Sequence, residues 1–356
     1  MTDQRPFEDI QPGEDGFSLP EEKWRELLFI GALRREGEAF VRDPTRPLPP
    51  FRTPNLFPPG ARFLPAAEAG RVRLRVERPS EMPAAEEPLL AGRCLARRLE
   101  AAEAAWASAL AAALARHDPA AEFGCEPSAG GVAICLGPHS PLTRALGLGM
   151  EKSLSLPDLE ALEVFFRSRG CPPRIVASPF ADPSLLGLTS AWGYSVEGFE
   201  SILFRPLSAG DRLSADAAGA RVEAVEEGQR DLWVRTMLAS TGHDPANDAS
   251  SRFASALLEV AGEGALLARH RAEVAGVGAL FLHQRLAWGI ADATLPAFRR
   301  RGVHGALIEA RLGRALASGC DLAVVATEPG SPVQRNHERA GFRLAYTRAI
   351  LSRSLG

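Results

Sequence analysis

The sequence is poor in net charge, in long apolar runs and in cysteine, and each shortage excludes a class of protein. A formal net charge of -3 disfavours nonspecific nucleic-acid binding. No apolar run is long enough to cross a bilayer and the N-terminal residues lack the apolar core of a signal peptide, so we expect a cytoplasmic protein without membrane contact. The cysteines are scattered, odd in number and without Cys-x-x-Cys spacing, which favours buried free thiols over disulfides or zinc; they are Cys94, Cys125, Cys135, Cys171 and Cys320.

The chain of 356 residues exceeds the usual size of one domain, and its hydrophobic content of 46% is enough for packed cores. Residues 1–84 are rich in proline, above all in Pro44–Pro59, and predict an extension with one short helix within Ser18–Arg35 that wraps over the rest. A disordered tail is the alternative. Alternating strand and helix patterns then predict an α/β fold, with domains at residues 85–207 and 220–356 joined by a linker at residues 208–219.

One pattern occurs twice in these domains, which we call the first repeat (residues 85–207) and the second repeat (residues 220–356). Residues 168–207 and 318–355 both run from a Gly-Cys pair through a strand, a proline-led helix and a Gly-aromatic pair to a final strand. The same order at the same spacing predicts a duplicated unit. The copies differ just before this pattern, because the second contains a basic loop with glycines and the first contains Leu148–Asp158, which has no arginine.

The basic loop lies within Ala293–Ala306. Before it, Leu286–Leu295 has the continuous apolar pattern of a buried strand, and after it Leu307–Ala317 has the apolar stripe of a helix. Three arginines and two glycines stand between strand and helix. Glycine lets backbone N–H groups converge on one anion, and a helix N-terminus adds partial positive charge. The stretch therefore predicts a phosphate or pyrophosphate site, or else an ordinary helix start with solvated arginines.

This stretch resembles the Arg/Gln-x-x-Gly-x-Gly/Ala motif of the GNAT acetyltransferases, with Arg299 and Gly302 in place and His304 where Gly or Ala is usual. The resemblance covers about residues 220–356, since Cys320–Thr327 is similar to the family's next strand and Val333–Phe342 to its following helix and Gly-Phe turn. It implies an α/β fold of two GNAT-like units in tandem, with mixed, mostly antiparallel sheets flanked by helices. The first repeat would be a degenerate copy that binds no cofactor.

The resemblance also implies which residues of the second repeat bind acetyl-CoA. Backbone groups at the end of the strand would hold the pantetheine, the basic loop would hold the pyrophosphate, and an amide on the later helix would be a further contact. The residues so implied are Ala293, Thr294, Leu295, Arg299, Arg300, Arg301, Gly302, Val303, His304, Gly305, Ala306 and Asn336. The imidazole of His304 is expected at the surface.

Two residues are candidates for proton transfer. Asp292 is a carboxylate in an apolar strand, where burial without a partner is costly, so it predicts a general base, an amine anchor or a structural ion pair with an arginine. His337 stands where many family members carry a tyrosine that protonates the departing thiolate, which makes it a candidate acid or else a solvent-facing helix residue. Together they would form a proton acceptor and donor on facing walls.

The sequence thus predicts an N-acetyltransferase that moves an acetyl group from acetyl-CoA to a primary amine, by default one of a small molecule. No residue cluster has metal-ligand spacing, so no metal is expected. A non-catalytic acyl-CoA sensor or partner-binding module is the alternative, which the missing tyrosine favours. A transferase that uses aminoacyl-tRNA also fits the paired units and the arginines, but the acidic chain disfavours it.

Overall fold

The structure, a computed structural model, describes residues 11–13, 16–29, 33–36, 39–42, 62–68, 71–77, 92–208, 210–211, 213, 216–217, 219–244 and 247–354. The chain forms two compact units, Met1–Pro88 and Leu89–Gly356. Apart from residues 85–88, both repeats lie in the second unit, so the division of that unit at residues 208–219 stays a prediction.

In its described residues the first unit contains a six-stranded antiparallel sheet and one helix. Its elements are β1 Gln11–Gly13, β2 Gly16–Pro20, α1 Glu21–Phe29, β3 Leu33–Glu36, β4 Ala39–Arg42, β5 Arg62–Glu68 and β6 Arg71–Glu77. The strands follow the order β1-β2-β6-β5-β4-β3. The helix lies inside the stretch predicted for it, whereas the sheet was not predicted. The proline-dense stretch Pro44–Pro59, and with it the predicted arm, lies outside the described residues.

The second unit is built on one twelve-stranded sheet. Its strands are β7 Gly124–Ser128, β8 Gly131–Cys135, β9 Arg144–Leu146, β10 Arg174–Ala177, β11 Ser195–Pro206, β12 Asp216–Ala217, β13 Ala220–Ala224, β14 Leu266–His270, β15 Glu273–His283, β16 Leu286–Thr294, β17 Leu322–Thr327 and β18 Arg343–Ser352. Their order is β12-β13-β14-β15-β16-β17-β11-β18-β10-β9-β8-β7. Only the pairs β9–β10 and β16–β17 are parallel among the described strands. The expected mixed, mostly antiparallel α/β fold is confirmed.

Helices cover both faces of this sheet. They are α2 Arg93–His117, α3 Leu156–Arg167, α4 Ser184–Ala191, α5 Arg230–Thr241, α6 Asp248–Ala261, α7 Val303–Ala317 and α8 Pro332–Arg339. On one face α2, α5 and α6 share a core that contains Trp106, Trp233 and Trp288. On the other face α3 and α4 pack on the first repeat, and α7 and α8 pack on the second. No helix in the described ranges has the length and apolar character needed to cross a membrane.

The two repeats exchange their last strands. Strand β11 ends the first repeat but pairs with β17 of the second, and β18 ends the second repeat but pairs with β10 of the first. The exchanged strands pair with each other at the centre, where Glu200 lies opposite Arg348. The predicted repeat is thus present as β10-α4-β11 and β17-α8-β18. The last strand of each copy pairs with a strand of the other copy, within the one sheet.

A buried charge cluster ties α2 to the exchanged strands. Arg348 is fully buried and donates to Glu100 (3.1 Å), Glu103 (2.8 Å) and Glu200 (2.8 Å). Arg144 on β9 donates to Glu103 and Glu200, both at 2.7 Å. Burial raises the pKa of Glu100 despite the opposing charge of Arg348. Because breaking one member would leave the others buried and unpaired, this cluster fixes the junction between the repeats.

Candidate functional site

Strands β16 and β17 begin side by side and then separate. They pair only from Leu286 opposite Leu322 to Trp288 opposite Val324, whereas β16 pairs with β15 along its whole length. The register between β15 and β16 shifts at Ile290, which is an extra residue on β16 and so forms a β-bulge. From the bulge to Thr294, one edge of β16 has no strand partner among the described residues. We call the space between the diverging strands the gap.

The predicted pantetheine-binding residues lie at the end of β16. Ala293 and Thr294 pair with β15, and the Leu295 N–H donates to the Ala275 carbonyl (2.9 Å). Their groups on the β15 side are therefore used in the sheet. Only the opposite edge of β16, which faces the gap, has backbone groups free for a ligand.

The loop after β16 leaves the start of α7 without a cap. Gly302 is the N-cap residue at φ 79°, in the left-handed region that favours glycine, and no side chain caps the helix. Arg300 also has a positive φ, 62°, which is costly for a residue with a side chain. Within the described ranges, the N–H groups of residues 300–305 have no backbone acceptor, and the first that has one is that of Ala306, which donates to the Gly302 carbonyl (3.0 Å).

The three arginines of the loop have different surroundings. Arg299 donates to the Ser240 carbonyl (3.1 Å) and to the Thr294 carbonyl (3.4 Å), so it fastens the loop to α5 and β16. Arg300 and Arg301 are exposed, and the guanidinium of Arg301 lies 5.8 Å from the ring centroid of Phe298. The last two are therefore the ones available to an anion, as are the free N–H groups and the positive end of the α7 dipole.

A chain of polar side chains crosses the gap below this loop. Arg311 on α7 forms an ion pair with Oδ2 of Asp292 on β16, and its Nη2 lies 3.5 Å from Nε2 of His337 on α8. His304 on α7 also contacts Asp292 Oδ2 through its Nε2 (3.1 Å), and its Nδ1 lies 2.8 Å from Nδ2 of Asn336 on α8. We call these five residues the polar bridge, because they join α7, α8 and β16.

Hydrogen bonds fix the tautomers of both imidazoles in the polar bridge. The Asn336 Oδ1 accepts from Arg339 (2.9 Å), so its NH₂ group faces His304 and donates to Nδ1. His304 therefore carries its proton on Nε2 and donates to Asp292. His337 donates from Nδ1 to the Val333 carbonyl (2.9 Å), which leaves the lone pair of Nε2 directed at Arg311 and Asp292.

The polar bridge holds its ionisable groups in definite charge states. Burial by itself would raise the pKa of Asp292, but the charge of Arg311, assisted by His304, outweighs it and holds that pKa well below its usual range. Burial, and then the charge of Arg311, lower the pKa of His337 to about 4. At neutral pH Asp292 is therefore an ionised, paired carboxylate and His337 is a neutral imidazole.

The structure brings the two predicted catalytic residues together but not on facing walls. His337 Nε2 lies 3.9 Å from Asp292 Oδ2, so both are members of one network. Helix spacing alone placed them apart because it does not show that α8 leans over β16. His304 was expected at the surface and is instead half-buried against Asp292. Arg311 was missed, although a charged residue four positions after the buried Leu307 on an apolar helix face is a signal that sequence inspection can find.

Two buried oxygens beside the gap have no hydrogen-bond partner among the described residues. One is Oδ1 of Asp292, and the other is Oγ1 of Thr327, at the end of β17 beyond the last residue that pairs with β16. A buried polar atom without a partner is costly, and it indicates a group that is supplied from elsewhere. Thr327 was not predicted to belong to the site.

The first repeat has the same arrangement of strand, loop and helix but a different loop. Parallel strand β9 leads through Gly147 and Gly149 to α3, whose N-cap Ser155 accepts from the Asp158 N–H (3.4 Å). The Asp158 carboxylate in turn accepts from the Ser155 N–H (3.0 Å). This start is acidic and satisfies its own N–H groups. In the part of the chain that the structure describes, no group of three or more His, Cys, Asp or Glu is placed to hold a metal ion.

Comparison with protein-family models and with curated protein sequences gives no match. Solved structures do resemble the chain. One is the tandem GNAT protein from the clavulanic acid biosynthesis pathway, 15% identical with a TM-score of 0.48, over 64% of this chain and 78% of that one. Another is the GCN5-related N-acetyltransferase from Kribbella flavida, 16% identical with a TM-score of 0.46, over 71% of this chain and 96% of that one.

A third solved structure is the GCN5-related N-acetyltransferase from Sphaerobacter thermophilus, 15% identical with a TM-score of 0.43, over 51% of this chain. The chain spans 59% of the length of that protein. Likeness at these identities concerns the path of the backbone and not the chemistry of the side chains.

Proposed function

We propose that the second repeat binds acetyl-CoA and transfers its acetyl group to a primary amine of a small molecule. The observation that carries this proposal is the start of α7, where free N–H groups, the helix dipole and three exposed arginines, one of them bonded to two carbonyls, adjoin the gap between β16 and β17. An activated acyl group bound beside this start would lie between two diverging strands, away from bulk water.

The phosphate end of acetyl-CoA fits the residues present. The exposed residues of this start, Arg300, Arg301, Gly302 and Gly305, would offer their N–H groups to the pyrophosphate, and the side chains of Arg300 and Arg301 would neutralise its charge. Gly305 supports this fit, because nothing lies within 4 Å of the place where its side chain would be. The backbone there is open to close approach.

The pantetheine end fits by its hydrogen-bonding chemistry. Pantetheine carries amide groups, which both donate and accept hydrogen bonds. Matching groups lie on the two strands beside the gap. The free edge of β16 offers backbone donors and acceptors, Oδ1 of Asp292 is an acceptor, and the Thr327 hydroxyl can donate or accept. Asn336 would be a further contact, as the sequence implied. Arg311 now fills part of this space, and it would have to move.

The charge states of the polar bridge suggest how its residues would manage protons. When bound, acetyl-CoA supplies an activated acyl group. His337 is neutral and its Nε2 lone pair faces Arg311 Nη2, so once Arg311 has moved, that atom could take the proton that the amine must lose and later return it to the departing sulfur. Asp292 is already paired with Arg311, so its role would be to hold the protonated imidazole by charge rather than to take the proton itself.

Calorimetry with CoA and a thiol-release assay with acetyl-CoA and a panel of amines test this function. We expect one CoA site per chain, because the helix start of the first repeat that corresponds to that of α7 is the start of α3, which is capped by side chains and has no arginine. We also expect an amine-dependent release of free thiol. Two equivalent sites per chain, or no binding at all, would overturn the proposal.

A non-catalytic module that binds acyl-CoA is the second candidate, and the polar bridge favours it. Arg311 is buried beside the gap and holds Asp292 in an ion pair, an arrangement that suits binding without turnover. This candidate predicts the same single CoA site but no thiol release with any amine. The two assays together therefore separate the two functions.

A further inference from the structure

The two parts of the proposed cofactor site differ in accessibility: the part for the phosphates is exposed, and the part at the gap is spanned by buried and half-buried side chains. At the phosphate end, Arg300, Arg301, Gly302 and Gly305 are all exposed, and the helix start is uncapped. At the gap, the polar bridge joins α7 to α8 through His304–Asn336 and Arg311–His337. One part of a ligand would thus find its site open while another part would find it shut.

Arg311 lies against β16 at the start of the gap. It is 4% exposed, and its Nη1 would lie only 2.8 Å from a Cβ atom at Gly289, so the guanidinium packs directly on the backbone of β16. Behind it lies a small cavity whose lining includes Gly289, Arg311, His337 and Phe342. The cavity and the space that Arg311 occupies lie side by side, and a ligand that displaces this side chain would open both.

The polar bridge is suited to open because side chains, and not backbone bonds, make the contacts between α7 and α8. An arginine side chain can leave a partner by rotating about its own bonds, without a change in the helix. Leaving costs free energy, since Asp292 would lose its ion pair in a buried place. A ligand with amide N–H groups would offset that cost at Oδ1 and Oδ2 of Asp292, and the first of these lacks a partner already.

We propose that the gap is a ligand channel that Arg311 holds shut, so that acyl-CoA binds by its phosphates first and enters the gap only after Arg311 leaves Asp292. This inference rests on the proposed function, because it takes acyl-CoA as the ligand. It adds an order of events and names the residue that sets it. Arg311 acts here through Asp292 and through the closure of the gap, and so it is a positioning residue.

Stopped-flow binding of two ligands tests the order of events. CoA carries the pantetheine arm, whereas adenosine 3′-phosphate 5′-diphosphate has the same phosphates without the arm. With the wild-type protein we expect the nucleotide to bind in one phase. We expect CoA to bind in two, with a second phase whose rate levels off as the CoA concentration rises, because it reports the opening of the gap.

The informative variant is Arg311→Met combined with Asp292→Asn, which removes the ion pair without leaving a buried charge. CoA should bind this variant without the slow phase, because no side chain has to leave Asp292 first. Its affinity combines two opposed changes, the removal of the closing side chain and the loss of the Asp292 carboxylate as an acceptor, so the kinetic phase is the readout. The nucleotide should bind it as it binds wild type. Arg314→Met is the matched control, since Arg314 lies on the same helix and its ion pair with Glu263 (2.8 Å) is outside the gap.

Each outcome decides one point. A slow phase for CoA that the double variant removes and Arg314→Met keeps would support the proposal that Arg311 holds the gap shut, which we call the gate. Equal one-phase binding of CoA by wild type and double variant, with normal binding of the nucleotide, would overturn the gate and leave the proposed function intact. If neither ligand binds the wild-type protein, the cofactor site itself is wrong and the gate falls with it.

Discussion

Helices α3 and α7 occupy the same place in the two repeats, because each follows a strand that pairs in parallel with the next strand along the chain. Their first turns nevertheless differ in how they satisfy their N–H groups. In α3 the side chains of Ser155 and Asp158 form a capping box that satisfies the N–H groups of the chain itself. In α7 the cap is Gly302, which offers no side chain, and the N–H groups remain free. A helix start can use its N–H groups for its own stability, as in α3, or leave them free for a ligand, as in α7.

The space beneath the two helices differs in the same sense. Under α3 and α4 lies an apolar core that includes Leu148, Leu162, Phe166 and Leu185. Under α7 and α8 the apolar core is interrupted by the polar bridge. Burying an arginine, a carboxylate and two imidazoles is costly compared with packing leucines. Buried charges also fix the junction between the repeats, but those lie under α2. Under the helices that follow the two loops, only the second repeat has a polar bridge among its described residues, which makes it the part of the core to test for a function.

The largest effect is expected on turnover, if the protein is an acetyltransferase. His337→Phe keeps a ring and removes the Nε2 lone pair, so it should lower kcat by about 10²- to 10⁴-fold. Asp292→Asn should lower it too, and should also reduce stability because Arg311 loses its partner. Thiol release and thermal unfolding measure the two effects. Thr189→Val on α4 is the control, since among the described residues that hydroxyl donates to carbonyls of its own helix, those of Leu185 (2.8 Å) and Leu186 (3.3 Å).

If His337→Phe retains full activity over a pH series, the polar bridge takes no part in proton transfer. The contrast between the cores would then concern stability or gating alone.

A smaller effect is expected when α7 is made to begin like α3. Gly305→Asp places a carboxylate in the first turn, where there is open space and no positive φ. The new carboxylate would accept from the free N–H groups and repel phosphate. CoA affinity should fall about a hundredfold, the loss of two charge-assisted contacts of roughly 1.5 kcal/mol each. Gly305→Ala is the control, which should keep affinity and raise stability by up to about 1 kcal/mol.

Calorimetry and thermal unfolding check both variants of Gly305. Undiminished CoA binding by Gly305→Asp would mean that the phosphates bind elsewhere and that the two helix starts differ without consequence.

The arginines should contribute less individually, and unequally. Arg300→Ala or Arg301→Ala should each weaken CoA binding about tenfold at low salt, since each removes one charge-assisted contact. Arg299→Ala should mainly lower the melting temperature, because Arg299 is bonded to the Ser240 and Thr294 carbonyls. Titrations at two salt concentrations measure this, and the salt dependence should be smaller in the Arg300 and Arg301 variants. Equal effects of all three arginines would contradict the distinction drawn from their contacts.

How much of this could be read from the sequence depends on the range of the interactions involved. The strand and the helix on either side of the basic loop were predicted because periodicity and glycines act locally, whereas the short strands β9 and β12 were not predicted. The sheet of the first unit was missed although β6 (Arg71–Glu77) alternates apolar and charged residues, because proline content dominated the interpretation. Strand exchange, the ion pair of Asp292 with Arg311 and the partnerless Thr327 hydroxyl join residues far apart in the chain. No local pattern reports such contacts.

The smallest effect concerns the cap of α3. Ser155→Ala removes a capping side chain and should cost about 1 kcal/mol of unfolding free energy at neutral pH, without changing CoA affinity. The hydroxyl of Ser155 is also the main reason why the pKa of Asp158 lies below its usual value. A carboxyl with a lowered pKa stabilises the fold above its unfolded pKa, about 3.9, and this contribution is lost as the pH falls through its pKa in the folded state. Wild type and variant should therefore differ less in urea unfolding at pH 3 than at pH 7. The control is Ser331→Ala, which removes the cap that accepts from the Gln334 N–H (3.1 Å) but is not part of a capping box with a carboxylate, so its cost should not depend on pH in this way.

The double change Ser155→Ala with Asp158→Asn tests the comparison of the two helix starts, because it leaves the start of α3 uncapped but still without arginines. A second CoA site in that variant would mean that capping alone separates the two repeats, whereas we expect none, because free N–H groups without Arg300 and Arg301 would not hold a pyrophosphate.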